Sequence, residues 1–321
     1  MDRLVCYSLL QSDVNPPQDL VRQLVASVSS LRAYNRAVAV RVFTYGNVPG
    51  LYSTLAPYEV VIQEQGSYQH RLAEWFPCAA QVLQHYPVLH RVLNFPDIER
   101  LAPLQVLLLD CDTVFFRDVD LLFARYSKAD CYAREEPSSK RSHLGYDPNY
   151  LDEDMLHQIA IAEGIATPPP FNTGVVLLNR AVWRRVKVEL FLSYVWRLLV
   201  WMSLNPAPRG TLYVEGPAIR YLRQGFQQFV TKKDVQRALH FPSANRWIVE
   251  EVAFWLTLGN IAELTYDDFA TRHVIQNGEF AAKILKNREW IVCHYYSIPM
   301  NEIAEWMRQC AANNSPSPLD L

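Results

Sequence analysis

This sequence predicts an α/β fold built on a parallel sheet covered on both faces, and two observations predict it. Apolar, strand-like runs recur at 3–10, 37–46, 58–66 and 104–110. Helical or looping stretches separate them, which is the order that places helices on both faces of a parallel sheet.

The elements follow in chain order. "RLVCYSLL" (3–10) reads as a buried first strand. "SDVNPPQD" is a loop, and its Pro16 and Pro17 suit the start of a helix. Leu20, Val21, Leu24, Val25, Val28 and Leu31 then recur at helical spacing. "AVAVRVFTYG" (37–46) and "YEVVIQEQG" (58–66) are strands ended by Gly46 and Gly66. Residues 71–95 read as helix interrupted near Pro77 and Pro87. "LQVLLLD" (104–110) is the fourth strand and the most apolar. "ADCYARE" (129–135) is another. Residues 136–170 form an excursion or lid, helical around "DEDMLHQIAIAEG". "NTGVVLLNR" (172–180) is a strand, and 182–202 reads as one long buried helix. "EEVAFWLTLG" (250–259) is a helix, and "REWIVCHYYS" (288–297) is a late strand. There is no internal repeat and no linker. One domain is expected over 1–310, with a disordered tail at 311–321.

The bulk numbers narrow the function. A chain of 321 residues, half of them hydrophobic, can bury a sizeable core. A formal net charge of −2 gives no general attraction to nucleic acid or to an acidic membrane surface. Six cysteines are scattered without a CxxC pair, as expected of a reducing compartment. No apolar run reaches the ~18 residues of a membrane span. The expectation is a cytoplasmic protein with no integral span.

The stretch "QVLLLDCDTVFF" (105–116) carries the chemistry. Asp110 and Asp112 stand one residue apart at the end of the greasiest run. Buried carboxylates are costly and neighbouring ones repel, so positive charge is needed nearby. In an extended strand, residues i and i+2 share a face, with Cα atoms about 6.5 Å apart at ~3.3 Å rise. Two carboxylates so placed can approach one hard cation, Mg²⁺ or Mn²⁺. The plainer alternative is that Asp110 ends the strand, Asp112 sits in a turn, and both are solvated.

"VLLLDCDTVFFRDVDLLF" (106–123) resembles the aspartate-motif segment of GT-A glycosyltransferases, most of all the family 8 branch. There an apolar strand ends in D-x-D and a short link leads to a helix; Asp118, Leu121, Leu122 and Phe123 take that place here. Further matches come in the same order. "HRVLNF" (90–95) sits where the family carries an arginine, "FNTGVVLLNR" (171–180) resembles its N-[ST/A]-G strand, "EEVAFW" (250–255) its acidic helix, and "VCHYYS" (292–297) its late histidine strand. The order of elements agrees over roughly 3–300. One departure is plain: "HYYSIPMNEIAEW" lacks the family's glycine and lysine after the histidine.

The resemblance implies a GT-A fold, a Rossmann-like mixed sheet with helices on both faces in a single domain. It implies an enzyme that moves a sugar, with retention, from a nucleotide-diphosphate sugar such as a UDP-sugar. The acceptor is an unnamed glycan, lipid or protein, received by 136–170 and 180–245. Asp110, Asp112 and His294 would hold the metal, Mn²⁺ or Mg²⁺. Arg91 would pair with donor phosphates. Asn172 and Gly174 would border the sugar, Tyr7 and Ser8 would touch the nucleotide, and Glu250 or Glu251 would orient donor or acceptor hydroxyls. Each has a structural counter-reading: His294 packed beside Tyr295 and Tyr296, Arg91 at a helix end, a bulge at Asn172–Gly174, Tyr7 in the core, and the glutamates matched to a helix dipole.

Two rivals stand beside this reading. "DCDTV" also matches the opening of haloacid dehalogenase-type phosphohydrolases, although that motif follows a first strand and this one follows about three strand units. The altered run after His294 would also suit a non-catalytic sugar-nucleotide binding protein.

Overall fold

In the computed structural model, the described residues are 2–10, 17–77, 80–83, 90–135, 160–161, 163–165, 171–204, 246–276 and 289–295. Their strands are β1 (Arg3–Leu10), β2 (Ala39–Tyr45), β3 (Val61–Glu64), β4 (Gln105–Leu109), β5 (Thr113–Phe115), β6 (Cys131–Glu135), β7 (Phe171–Asn179), β8 (Tyr266–Asp268), β9 (Val274–Gln276) and β10 (Val292–His294). A seven-stranded sheet runs β3-β2-β1-β4-β7-β6-β8, and a three-stranded sheet runs β5-β10-β9.

Alternation along the central strands builds two cores. Leu4, Cys6, Phe43, Val106, Leu108, Val176 and Leu178 point to one face. There they meet Phe95 and Ile98, and the helices Val188–Leu204 and Arg246–Gly259. Val5, Tyr7, Val42, Leu107, Leu109, Val175 and Leu177 point to the other. Leu24, Val28 and Leu31 of helix α1 (Pro17–Tyr34) cover them, as helical spacing requires.

The large sheet is mixed, as the resemblance implied and the apolar runs alone did not: β7 runs antiparallel to both β4 and β6, while the other pairs in this sheet are parallel. A strand buried on both faces is apolar whichever way it runs, so its pattern does not reveal direction. The single helix expected at 182–202 is two elements, a 3₁₀ turn at Val182–Arg184 and a helix at Val188–Leu204. Arg180 and Ala181, at φ 50° and 57°, turn the chain ahead of them. Finally, β5, β8 and β9 were not expected, because three residues are too few to display a period.

Cys6, Cys111, Cys131 and Cys293 are all buried. Most of the expected 136–170 excursion, and all of the 311–321 tail, lie outside the described residues. Among the described residues, no helix is long and apolar enough to cross a membrane.

Candidate metal and donor site

β4 stops at Leu109, so Asp110, Cys111 and Asp112 form a bend rather than the expected continuation of the strand. The bend is held from two sides. The Asp110 amide donates to the Gly174 carbonyl of β7 (2.9 Å), and the Tyr295 amide, just after β10, donates to the Asp112 carbonyl (3.0 Å). Cys111 turns inward and is buried, with its Sγ 3.8 Å from the Ser8 carbonyl. The carboxylates keep part of their surface, 35% for Asp110 and 21% for Asp112.

β10 brings His294 between them. Its Nε2 lies 3.6 Å from Asp110 Oδ2 and 3.4 Å from Asp112 Oδ1. One ligand atom from each of the three residues falls within 4.8 Å of the others. Two carboxylate oxygens and an imidazole nitrogen so disposed fit a hard divalent cation of the Mg²⁺ or Mn²⁺ kind.

Gly174 explains how the histidine gets there. A Cβ at this position would stand 2.1–2.5 Å from the imidazole ring atoms of His294. The glycine therefore leaves room for a protein side chain. Its pairing with β6 is irregular in the same place, where Ala133 opposes Val176 but Arg134 opposes Asn172.

The helix His90–Leu93 carries Arg91 to the same corner. Its guanidinium pairs with Asp110 Oδ1 and also donates to the Thr173 carbonyl. Burial pushes the Asp110 pKa up; Arg91 opposes this and Asp112 adds to it. Asp112 has its pKa lowered, because His294 outweighs the effect of burial. The pKa of His294 is raised in return: burial works against its charged form, but Asp112 and Asp110 prevail.

Glu250 and Glu251 arrive on the helix Arg246–Gly259. That helix begins four residues earlier than expected, so the pair sits beyond its first turn, where the dipole has little effect. Their partners are on β7 instead. Glu251 Oε1 accepts from Asn172 Nδ2 and from the Thr173 amide, both at 3.3 Å. Glu250 Oε2 accepts from Thr173 Oγ1 at 3.1 Å, while its Oε1 is buried with no hydrogen-bond partner. Burial pushes the Glu250 pKa up to about 7; Arg91 opposes this and Asp110 adds to it.

The remaining expected residues fall at different depths. Ser8 is half-buried at the end of β1, and its hydroxyl accepts from Asn94 Nδ2 (2.8 Å). Tyr7 has no exposed surface, and its hydroxyl is 2.7 Å from Ser27 Oγ. It lies in the core, the alternative reading for this residue. Thr173 was missed, though it touches Arg91, Glu250 and Glu251; only its place between Asn172 and Gly174 hinted at it. Asp267 and Asp268 lie on β8 at the sheet edge, three strands from β4, and Asp268 pairs with Arg134 (2.7 Å).

No family model and no curated protein matches the sequence. Several solved structures are similar to it, and they are glycosyltransferases. Mouse xyloside xylosyltransferase 1 is 13% identical, with a TM-score of 0.48, over 93% of this chain and 100% of that one. The galactosyltransferase LgtC, in complex with donor and acceptor sugar analogues, is 14% identical, with a TM-score of 0.44, over 98% of this chain and 97% of that one. The bifunctional glycosyltransferase WbbM is 10% identical, with a TM-score of 0.49, over 99% of this chain and 51% of that one.

Proposed function

We propose that this chain is a metal-dependent GT-A glycosyltransferase that moves a sugar, with retention, from a nucleotide-diphosphate sugar, a UDP-sugar in the first instance, to a glycan, lipid or protein acceptor. One observation carries the reading: Asp110, Asp112 and His294 converge within 4.8 Å beyond the carboxyl end of β4, beside the Arg91 guanidinium. Ligands of open α/β sheets bind at such strand ends. When bound, the cation supplies positive charge that stabilises the departing nucleoside diphosphate.

The chain's own residues do the rest. Arg91 has five N–H donors and spends them in part on Asp110 and Thr173; those left suit phosphate oxygens. The partnerless Oε1 of Glu250 is an acceptor for a sugar hydroxyl. Glu251, held by Asn172 and Thr173, fixes the wall on which that hydroxyl rests. The domain is expected over 1–310.

The test is calorimetric titration of UDP-sugars with Mn²⁺ present and again in EDTA. Binding that is strong with Mn²⁺ and lost in EDTA supports the reading; equal binding in both removes the metal from it. Slow donor hydrolysis in the Mn²⁺ arm separates an enzyme from a binding protein.

A further inference from the structure

A line of buried hydroxyls runs beneath the aspartate bend. Tyr7 Oη lies 2.7 Å from Ser27 Oγ, Ser27 Oγ lies 2.7 Å from Thr113 Oγ1, and Thr113 Oγ1 donates to the Asp110 carbonyl at 3.0 Å. Tyr7, Ser27 and Thr113 are each fully buried, so water does not satisfy them. The proton order follows from the last link. A carbonyl only accepts, so Thr113 spends its one proton on Asp110. Ser27 must then donate to Thr113, and Tyr7 to Ser27. Each hydroxyl has one arrangement that satisfies it, and that arrangement exists only while the Asp110 carbonyl stays in place.

Thr113 also belongs to the histidine side of the site. It is the register partner of His294 in the β5–β10 pair. A second link from the same helix holds the next part of β5: the Phe115 amide donates to Ser30 Oγ (2.9 Å), and the Ser30 hydroxyl donates to the Ser27 carbonyl (2.7 Å). Helix α1, 86 positions away in sequence, thus grips the strand that joins both aspartates to the histidine.

We propose that Thr113 and Ser27, with Tyr7 behind them, are positioning residues that set the Asp110–Asp112 bend for cation binding. They touch neither cation nor substrate and act through the Asp110 carbonyl and through β5. This rests on the metal-site reading given under Proposed function. Losing an outer-shell partner of a metal ligand typically weakens affinity 10- to 100-fold.

The experiment is a Mn²⁺ titration of the full chain, read by electron paramagnetic resonance of the free ion, with thermal unfolding in EDTA alongside. Thr113→Val keeps the shape but loses the hydroxyl, and is expected to weaken Mn²⁺ binding about tenfold, the low end for an outer-shell partner. Thr113→Ser keeps the hydroxyl and should restore wild-type affinity. Ser27→Ala should weaken binding less, and Tyr7→Phe least. A purely structural role would lower the unfolding temperature in EDTA yet leave the Mn²⁺ affinity of the folded chain unmoved. Folded Thr113→Val or Ser27→Ala binding Mn²⁺ within about twofold of wild type, far short of an outer-shell loss, would overturn the proposal. So would a folded Thr113→Ser that behaves like the valine variant. If Thr113→Val does not fold, Ser27→Ala decides. Wild-type protein that binds no Mn²⁺ ends the metal reading and this role together, whereas wild-type binding with unmoved variants ends only this role.

Discussion

Two carboxylate pairs meet at one corner of this protein, and they are treated in opposite ways. Asp110 and Asp112 remain partly exposed and are faced by the Arg91 guanidinium and the His294 ring. Glu250 and Glu251 are 3% and 6% exposed and are met by the neutral donors Thr173 and Asn172. Opposite charge overcomes burial at Asp112 and offsets part of it at Asp110, and it leaves lone pairs for a further cation. Burial against neutral donors favours a held proton or a hydroxyl guest. Neighbouring acids alone therefore do not make a metal site; what surrounds them decides.

The contrast can be tested, beginning where the largest effect is expected. Asp112→Asn keeps the size and removes a charged ligand, so Mn²⁺ affinity should fall at least about 1000-fold, or about 4 kcal/mol, with donor turnover lost while the fold remains. Titration calorimetry with circular dichroism checks it, and near-normal Mn²⁺ binding would place the cation elsewhere.

The next prediction concerns Glu250. Its pKa in the folded chain is raised from 4.5 to about 7. The folded state thus holds a proton that the unfolded chain releases, and stability falls as pH rises across that window. Glu250→Gln cannot titrate, so relative to wild type it should gain up to about 3 kcal/mol between pH 4.5 and 7 at 1.36 kcal/mol per pKa unit. Urea melts in EDTA at both pH values measure this, and parallel curves would mean Glu250 folds ionised.

Gly174→Ala follows, because its Cβ would collide with the His294 ring. Overpacking of this kind costs about 2 kcal/mol. Mn²⁺ affinity should fall with it, as the ring is pushed off its carboxylates; a stability loss without an affinity loss would show the ring can move aside. The smallest effect belongs to Thr173→Val, which removes the hydroxyl that Glu250 accepts from. A single buried hydrogen bond is worth about 1 kcal/mol. Chemical denaturation should show that loss while Mn²⁺ binding stays unchanged.

The parts of the molecule legible in advance were those with a local signal. β1, β2 and β4 announced themselves as apolar runs, and α1 as apolar residues at helical spacing that now form one core face. Asp110 and Asp112 were legible because two charges at the end of such a run demand an explanation. Thr173, Thr113 and Ser27 were not legible. Each makes at least one hydrogen bond to a residue dozens of positions away, and a lone hydroxyl in a strand or helix carries no periodicity. Gly174 was noticed as a place of close approach, but a glycine does not say of what, and the His294 ring that stands against it was not foreseen.

Sequence alone determined which segments must be buried and where negative charge would gather, because hydrophobicity and charge are properties of residues and their immediate spacing. Only the folded chain decided that β7 runs against its neighbours, that a bend aims the aspartates, and that His294 rests on Gly174 to face them. Those outcomes depend on contacts between segments far apart in the chain, and such contacts exist only once the sheet has formed.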